Sequence, residues 1–457
     1  MKKSHIKAQN RKENGKQFSL SPARRAAFEI LEKIEKEKAF SSGLLPLYEE
    51  KLSPKDRTLC HELTLGVLRK QIYLDKITEK LANKTTEKFD LAVILALRIG
   101  LYQLFFLDKI PPFAAINESV NLVHKAKKTS AKGLVNAVLR RAAREKTELE
   151  FVDEIEKLSV EASHPRWLIE KWIRQFGCEE AQELARANNE VPKVAFRFTR
   201  NVSRKGAKAQ SEILENFKVD LVESKFVSDC FLAEKIDTNL LELFEKGEIY
   251  FQDEASQMVG SLVKPEENEK FLDVCASPGG KTTQIAVRAS QSTTLIAGDL
   301  HWHRIKFLRE NCRRQGAEFV QIAQYDAEKE LPFAENSFDR VLVDAPCSGT
   351  GTIRHNPEIR YFLRESDFAA LAEKQLKILN NASKLVKDGG SLIYSTCSLE
   401  IEENEGVVDA FLANNLKFDK ASLNLPRKFL TENGFARTFP HRDEMDGFFI
   451  AAFQKKL

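Results

Sequence analysis

The first part of the chain carries apolar residues at the spacing of an α-helix. They recur at three- and four-residue intervals in the segment after Ser21: Ala27, Ile30, Leu31 and Ile34. This is the period of a single helix face. Ser21 is placed to cap the helix and Pro22 to fill its first position. Similar patterns continue to about Arg144, so we predict a helical bundle over this region.

Within that region, a second helix begins at Ser53-Pro54 in the same way as the first. The most hydrophobic run extends from Leu91 to Leu107 and is interrupted by Arg98 and Gln103. It is shorter than the ~20 residues that span a membrane, so it predicts a buried helix and no membrane association. Further helices are predicted after the turn at Pro111-Pro112: one from about Ala114 and one around Leu134–Ala143.

The pattern changes twice after the bundle. Residues 151–186 are again helical, but Val194–Thr199 alternates as a strand does, with a helix near Ser211–Phe217 and further short strands behind it. These features predict a small α+β domain. Beyond Pro265, short apolar strands alternate with helices: Phe271–Cys275, Leu295–Asp299, Phe319–Ala323, Arg340–Asp344, Ser391–Ser395 and Phe448–Phe453.

Strands this apolar, separated by helices, are typical of a parallel sheet covered on both faces. We therefore predict a multi-domain chain: an all-α domain, a small α+β domain and a doubly wound, Rossmann-like α/β domain. The expected divisions are a basic tail over 1–18, the helical domain over 19–150, a helical linker and α+β domain over 151–260, and the α/β domain over 261–457.

Composition and charge limit the classes of function. The 457 residues include 71 Lys and Arg against 67 Asp and Glu, a net charge of +4, with 42% hydrophobic residues. These values exclude a chain disordered throughout and binding of the histone type, so a nucleic-acid surface must be local. The first sixteen residues hold six Lys and Arg without an apolar stretch behind them. They form no secretory signal and are either a solvated tail or an RNA contact.

The seven cysteines form no C-x-x-C pair, so no zinc site or disulfide framework is indicated, and we expect a cytoplasmic enzyme without a metal. His301 and His303 also lack a pattern of metal ligands. Four cysteines are interpreted as small core residues: Cys60, Cys178, Cys230 and Cys312. Cys347 and Cys397 instead follow strand ends among Pro, Ser, Thr and Gly residues, where a reactive thiol is plausible.

The first strand of the α/β domain leads into a glycine loop, Cys275–Gly280, and then a helix. Gly280-Lys281-Thr282 matches the end of a phosphate loop, but the leading glycine is replaced by Cys275, and no G-x-G-x-x-G is present. A nucleoside site of another kind remains. Carboxylates follow the next three strands, at the edge where such folds bind ligands: Asp299, Asp326 and Asp344. Each one alone could be a helix cap or a turn residue.

The motifs SPGGKT, DAPCSGTG and STCS, in this order, resemble the RsmB/NOP family of RNA cytosine-C5 methyltransferases, which use S-adenosylmethionine. RRAAFEILEKIEKEKAF and KGLVNAVLRR are similar to the NusB-type RNA-binding domain. HPRWLIEKW, FQDEASQMV and DGFFIAAF are similar to the bacterial subgroup that acts on 16S rRNA. The resemblance runs from about Ser21 to the end of the chain. Ser277 departs from it, because the family more often has Ala there; its small hydroxyl is not expected to disturb the loop.

The resemblance implies roles for individual residues. Cys397 would attack C6 of cytosine, which makes C5 nucleophilic toward the methyl group, and Cys347 would assist breakdown of the adduct. Asp344 would bind the N3/N4 edge of the base and also contact the cofactor, while Lys281 stabilises the site electrostatically. Spacing alone does not distinguish the two cysteines. The cofactor would be held by these residues: Cys275, Ala276, Ser277, Pro278, Gly279, Gly280, Lys281, Asp299 at the ribose and Asp326 at the adenine.

The implied substrate is a cytosine in small-subunit rRNA, unpaired or flipped out, in free RNA or an early assembly intermediate. We expect a monomer that contacts RNA through the basic segment Asn121–Glu150, whereas the basic helix after Asp299 is interpreted as a solvated face. Two alternatives remain. One is a tRNA cytosine-C5 methyltransferase, which shares the catalytic motifs. The other is a non-catalytic, NusB-like RNA-binding factor in transcription or assembly.

Overall fold

A computed structural model describes residues 20–216 and 221–457. The basic tail predicted over 1–18 lies outside these residues. The chain divides into two compact units, the first ending at Val152 and the second comprising Asp153–Leu457. Among the described residues, no helix has both the length and the apolar character needed to cross a membrane.

The first unit is built from helices, as the sequence pattern predicts. In chain order these are α1 (Pro22–Glu37), α2 (Ser41–Glu49), α3 (Pro54–Arg69), α4 (Gln71–Ala82), α5 (Leu91–Phe106), α6 (Pro112–Lys125) and α7 (Lys132–Ala142). Helix α5 is the hydrophobic run, and it is buried on all sides over most of its length. Its uniform hydrophobicity follows from that central position, because every face meets another helix.

The two serines predicted to cap helices, Ser21 and Ser53, make different hydrogen bonds. The Ser53 hydroxyl accepts a hydrogen bond from the Asp56 N–H at the start of α3, as expected of an N-cap. Ser21 occupies the N-cap position of α1, but its side chain makes no cap hydrogen bond. Its backbone N–H instead donates to Glu118 Oε2 at 2.9 Å, which ties α1 to α6.

A buried ion pair explains the arginine within the apolar helix α5. Arg98 Nε and one terminal nitrogen donate to the two carboxylate oxygens of Asp75, each at 2.7 Å. The other terminal nitrogen donates to Glu35 at 2.7 Å. The planar guanidinium of Arg98 and the planar carboxylate of Asp75 thus share two parallel hydrogen bonds, and Glu35 accepts a third. A guanidinium can be buried when most of its N–H donors are hydrogen-bonded in this way.

Asp75→Asn should destabilise the helical unit, because it removes one anion and leaves the Arg98 charge buried with a weaker partner. We expect a loss of about 3 kcal/mol, seen as roughly hundredfold faster hydrogen exchange of the α5 amides. Glu37→Gln, at an exposed position on α1, is the matched control and should leave exchange unchanged. Equal exchange in the two variants would contradict a stabilising role for the pair.

The second unit begins with three helices, α8 (Glu154–Glu161), α9 (Arg166–Phe176) and α10 (Cys178–Ala187). A four-stranded antiparallel sheet follows, in the order β2-β3-β1-β4. Its strands are β1 (Val194–Phe198), β2 (Leu221–Glu223), β3 (Cys230–Ala233) and β4 (Ile249–Phe251). Its helices are α11 (Arg200–Ser203), α12 (Ala207–Asn216) and α13 (Thr238–Glu245). The predicted α+β domain is confirmed in this small sheet.

The larger sheet contains five parallel strands in the order β9-β8-β5-β6-β7. These are β5 (Lys270–Asp273), β6 (Thr294–Asp299), β7 (Gln321–Gln324), β8 (Phe338–Asp344) and β9 (Val386–Thr396). The helices of this region are α14 (Glu254–Leu262), α15 (Gly280–Arg288), α16 (Trp302–Arg314), α17 (Ile359–Phe362), α18 (Asp367–Leu385), α19 (Glu405–Asn414) and α20 (Pro440–Asp443). Short 3-10 turns in the chain cover Thr86–Lys88, Thr129–Ala131, Thr350–Thr352 and Arg427–Phe429.

The prediction of a parallel sheet is wrong at one end of this sheet. Strands β10 (Phe418–Lys420), β11 (Ala436–Thr438) and β12 (Phe448–Lys455) are antiparallel to their neighbours, and β12 pairs directly with β9. An apolar run such as FFIAAF indicates burial but carries no information on strand direction. Because β12 runs against β9, its first residue lies at the edge where the parallel strands end.

Both faces of the larger sheet are covered, as predicted. Adjacent residues of β5 point to opposite faces: Phe271 packs with Ile285 and Leu308, while Leu272 packs with Leu379 and Phe411. All of these side chains are buried. Ligands of such folds bind outside the carboxyl ends of the parallel strands.

Candidate active site

The glycine loop leaves the carboxyl end of β5 and enters α15 with a sharp turn. Gly279 has a φ of +102°, and a Cβ there would lie 2.8 Å from the Leu308 side chain, so only glycine fits. Asn311 Nδ2 donates to the carbonyl of Pro278 at 2.8 Å. The loop is thus held against α16, with the N-terminus of α15 open toward the sheet edge.

Ser277, the position that departs from the family pattern, adds a tie between the loop and α16. Its hydroxyl donates to the carbonyl of Arg304 at 3.0 Å, and the Arg304 side chain donates to the carbonyl of Ser277 at 2.6 Å. The hydroxyl therefore fits the loop without displacing it, as expected.

The predicted ribose and adenine carboxylates have different surroundings. Asp299, the last residue of β6, is 5% exposed and accepts hydrogen bonds from the backbone N–H groups of Ser277 and His301. Asp326 accepts from the Glu328 N–H at 3.0 Å and pairs with Lys329 at 3.3 Å. Asp299 is thus fixed against the glycine loop, whereas Asp326 already has a local role in the turn after β7.

Asp273 is a buried carboxylate that the sequence analysis missed. It ends β5, and its Oδ2 accepts a hydrogen bond from the Thr282 hydroxyl at 2.6 Å. Its Oδ1 has no hydrogen-bond partner among the described residues. Burial raises the pKa of Asp273 to about 7. An unpaired buried oxygen beside the loop fits a donor group on a ligand. An acid at the end of an apolar strand was the available signal.

Lys281, in the first turn of α15, and Asp344, the last residue of β8, form an ion pair. Lys281 Nζ lies 2.7 Å from Asp344 Oδ2 and 5.0 Å from the ring centroid of Phe448, the first residue of β12. The Ser395 hydroxyl donates to Asp344 Oδ1 at 2.7 Å. Burial by itself would lower the pKa of Lys281. The charge and hydrogen bond of Asp344, together with the charge of Cys397, outweigh burial, so the pKa of Lys281 lies above its usual value. The lysine therefore keeps its positive charge.

The two predicted reactive cysteines lie side by side. Their Sγ atoms are 3.2 Å apart, although the residues are far apart in sequence. The Gly351 N–H donates to the carbonyl of Cys397 at 2.9 Å, which links the two loops. The hydrogen bond to Cys397 and burial together raise the pKa of Cys347 well above its usual value. Cys347 therefore keeps its proton at neutral pH.

The other cysteines follow the prediction with one exception. Cys60, Cys230 and Cys312 are buried, but Cys178 is exposed. It is the first residue of α10, after a turn at Gly177, where the helix start faces solvent. Position at a helix end is not visible in the residue type, so the interpretation of Cys178 as a core residue is wrong.

Polar side chains after Cys397 serve the cysteine loops rather than the helix start. Asn404 precedes α19 but makes no side-chain cap; it accepts from the Thr396 hydroxyl and donates to the carbonyl of Ser398 at 2.8 Å. Glu405 pairs with Arg437. A second carboxylate, Glu403, is fully buried and was also missed, because its partners are brought together only by the fold.

Helix α9 supports the segment that follows Cys397. Trp172 Nε1 donates to Glu400 Oε1 at 3.1 Å, and Gln175 Nε2 donates to the carbonyl of Leu399 at 2.8 Å. Lys171 Nζ lies 2.6 Å from Glu402 Oε1. The helix that carries the HPRWLIEKW motif thus packs directly against the loop of the candidate nucleophile.

Three possible metal ligands also converge near the start of β12. Asp253, His355 and Asp446 place their ligand atoms within 4.8 Å of one another. Arg354 already lies between the two carboxylates, with Nε 2.8 Å from Asp446 and a terminal nitrogen 3.2 Å from Asp253. Its guanidinium supplies the balancing cation, so we interpret this cluster as an ion-pair network that holds β12 against α14.

Comparison with known proteins places these features in one family. A family model described as 16S rRNA methyltransferase RsmB/F matches residues 260–454. The NusB family matches residues 21–144, and the ferredoxin-like domain of RsmF/B-like methyltransferases matches residues 164–236. The probable ribosomal RNA small subunit methyltransferase B of Bacillus subtilis is 35% identical over 94% of this chain and 98% of its own length. The chain belongs to the RsmB/F family of 16S rRNA methyltransferases.

Other relatives agree with this assignment. Ribosomal RNA small subunit methyltransferase B of Klebsiella pneumoniae is 33% identical over 95% of this chain and 98% of its own length. The crystal structure of PH0851 matches with a TM-score of 0.82 and 26% identity over 95% of this chain and 99% of that one. NSun6 from Pyrococcus horikoshii, solved with SFG, matches in fold, with a TM-score of 0.58 and 21% identity over 64% of this chain and 98% of that one.

The expected resemblance and the expected fold class are therefore confirmed. This RsmB/F-family protein combines a NusB helical domain, a ferredoxin-like sheet domain and a methyltransferase domain with a mixed sheet. It is an S-adenosylmethionine-dependent RNA methyltransferase. The alternative of a non-catalytic RNA-binding factor is set aside by this membership.

The contact between α9 and the cysteine loop should make stability depend on pH. Burial raises the pKa of Glu400 from 4.5 to about 7. Because the folded state keeps this proton while the unfolded state loses it, stability falls as pH rises through this window. Relative to Glu400→Gln, the wild type should lose about 3 kcal/mol between pH 4.5 and 8.

Urea unfolding followed by tryptophan fluorescence measures this difference, since Trp172 lies beside Glu400. Glu402→Gln is the matched control, because Glu402 also contacts Lys171 but is 43% exposed. It should not remove the pH dependence. A constant difference between the wild type and Glu400→Gln across the range would show that Glu400 ionises normally.

Proposed function

We propose that this protein transfers a methyl group from S-adenosylmethionine to C5 of a specific cytosine in small-subunit rRNA, through a covalent adduct between Cys397 and C6. The observation that carries the proposal is the arrangement of two thiols, 3.2 Å apart, beside the Lys281–Asp344 ion pair. A methyltransferase acting on a nitrogen or oxygen atom has no need of paired thiols. Attack on C6 of a pyrimidine does need one, because C5 is otherwise a poor nucleophile.

The residues at the sheet edge fit the methyl donor. Asp273 offers a buried oxygen that has no hydrogen-bond partner in the described part of the chain, which suits the amine of the methionine portion. Gly279 lets the backbone of the loop Cys275–Lys281 approach the same portion, and Asp299 would hold the ribose hydroxyls. The proposed adenine contact of Asp326 would have to share its carboxylate with the local turn. When bound, the donor supplies an electrophilic methyl group on a sulfonium.

The charges around the thiols support Cys397 as the nucleophile. The positive charge of Lys281 interacts with Cys397, while the raised pKa of Cys347 means that this second thiol keeps its proton. The Cys397 thiolate would add to C6, and the electrons freed at C5 would form the bond to the methyl group, while the bond from that methyl to the donor's sulfonium breaks and leaves a thioether. Asp344, which contacts Lys281 and Ser395, would bind the N3/N4 edge of the base and favour protonation at N3.

The interaction between Cys347 and Cys397 also explains how the adduct would break down. The hydrogen bond and charge of Cys397 are major causes of the raised pKa of Cys347. Once Cys397 is bonded to C6, that charge is gone, and Cys347 can lose its proton more easily. It can then accept the proton from C5, so that the C5–C6 double bond re-forms and Cys397 leaves as a thiolate.

RNA positioning is assigned to the NusB domain. Within the basic segment 121–150, Arg140 and Arg144 are exposed and line a groove of about 270 Å³ together with Phe113, which is 69% exposed. Cationic side chains around an exposed ring suit phosphates and an unstacked base. We propose a monomer that acts in the cytoplasm on free rRNA or an early assembly intermediate, with the target base unpaired or flipped out.

Methyl transfer from labelled S-adenosylmethionine to unmodified small-subunit rRNA, with tRNA in parallel, tests the substrate and the reaction together. After digestion to nucleosides, we expect label only in 5-methylcytidine, at one site of the rRNA. Label confined to tRNA would favour the tRNA methyltransferase alternative. Label in a different nucleoside would overturn the assignment of the C5 position.

The two cysteines should fail in different ways when replaced. Cys397→Ala removes the thiolate that adds to C6, so turnover should be lost while the affinity for S-adenosylmethionine, measured by calorimetry, stays near that of the wild type. Cys347→Ala should permit methyl transfer but trap the adduct, seen as a slow RNA–protein band on a denaturing gel. A clean gel for Cys347→Ala, or near-normal turnover for Cys397→Ala, would contradict the assigned roles.

A further inference from the structure

Glu403 lies fully buried between the two cysteine loops and accepts hydrogen bonds from both. The backbone N–H and the hydroxyl of Ser348 donate to its two carboxylate oxygens, at 2.9 and 2.5 Å. The Ser398 hydroxyl donates to Oε1 at 2.6 Å, and Gln375 Nε2 donates to Oε2 at 2.8 Å. These four donors explain how a carboxylate is accommodated without contact with water.

The two serine donors occupy equivalent positions, each directly after one of the cysteines. Ser348 directly follows Cys347, and Ser398 directly follows Cys397. One carboxylate therefore fastens the backbone beside each thiol, and the two loops cannot separate without breaking bonds to a buried charge. Glu403 is itself held from behind, because the Tyr394 hydroxyl donates to its carbonyl at 2.6 Å. The 3.2 Å distance between the two Sγ atoms thus depends on the fixed position of Glu403.

The charge of Glu403 also acts on Cys347. It contributes to the raised pKa of Cys347, after the hydrogen bond to Cys397, burial and the charge of Cys397. The positive charge of Lys281 interacts with the other thiol, Cys397. Glu403 therefore helps Cys347 to keep its proton, while the cation of the site interacts with its neighbour.

We propose that Glu403 is a positioning residue that fixes the two cysteine loops against each other and directs its negative charge toward Cys347. The roles of the thiols rest on the proposed function, whereas the effect of Glu403 on the ionisation of Cys347 does not. The other charged and titratable groups facing the pair are Lys281 from α15, Asp344 from β8 and Tyr394 from β9. Burial raises the pKa of Tyr394 well above its usual value, so this group stays neutral.

Alkylation of the thiols by iodoacetamide as a function of pH, resolved by peptide mass spectrometry, tests this directly and requires no RNA. Cys347 is followed by itself in a Cys397→Ser background of the full chain, under reducing conditions before labelling. In the Cys397→Ser background, Glu403→Gln should lower the midpoint of Cys347 alkylation by about one pH unit, because a neighbouring negative charge is lost.

Two controls separate this effect from a general loosening of the site. Cys178 is exposed and serves as an internal reference whose profile should be the same in every sample. Glu400→Gln removes another fully buried carboxylate from the same segment, one bonded to Trp172 instead of the serines. It should leave the Cys347 midpoint in place. No shift of the Cys347 midpoint in Glu403→Gln, or an equal shift in Glu400→Gln, would overturn the proposal.

Glu403→Asp keeps the charge but shortens the side chain, and so distinguishes anchoring from charge. We expect the Cys347 midpoint to stay near that of the wild type, while kcat for methyl transfer falls and the KM for S-adenosylmethionine is retained. Should Glu403→Gln prove unfolded by circular dichroism, this variant still decides the matter. A normal kcat in Glu403→Asp would show that the contact with both serines does not set the geometry of the thiols. Failure of the proposed function would instead appear as absent methyl transfer in a wild type with the expected alkylation profiles.

Discussion

The hydrogen-bonded register between β8 and β9 is the constraint on which the candidate active site depends. Asp344 lies opposite Ser395 in this parallel pair. The loops that leave the two strands therefore begin side by side, and they bring Cys347 and Cys397 to 3.2 Å although the sequence separates them widely. Shifting the register by one residue would turn alternate side chains to the other face. The Ser395–Asp344 hydrogen bond and the contact of the thiols would both be lost.

The polar groups at this edge are arranged so that buried charge is satisfied where the site must be rigid. Glu403 receives four hydrogen bonds, and Asp344 is held by Lys281 and Ser395. Asp273 is the contrasting case, since one of its oxygens has no partner among the described residues. Satisfied carboxylates resist movement, whereas an unsatisfied one favours a ligand that can donate to it. The structural and ligand-binding acids can be distinguished on this basis.

The loops of the site are also held from outside the large sheet, by elements of the same compact unit. Arg197 of β1 is fully buried and donates to the carbonyl of Gly280 at 2.8 Å and to Gln252 at 2.9 Å. Burial lowers its pKa to about 10. Helix α9 supports the segment after Cys397 through Trp172 and Gln175. The ferredoxin-like sheet and the helices before it thus contribute to the geometry of both the glycine loop and the cysteine loop.

The sequence by itself determined the helical and strand periods, the glycine loop and the order of the motifs around Cys347 and Cys397. These features are local: a helix face, a strand or a turn is specified by residues within a few positions of one another. Only the tertiary structure decided that β12 runs antiparallel to β9, that Glu403 bonds both serines and that Cys178 is exposed. Each of these depends on which distant segments meet, and hydrophobic spacing encodes burial but not partners or strand direction. The interactions of Lys281 with Cys397 and of Glu403 with Cys347 belong to the same class, because the members of each pair are far apart in sequence and meet only in the folded chain.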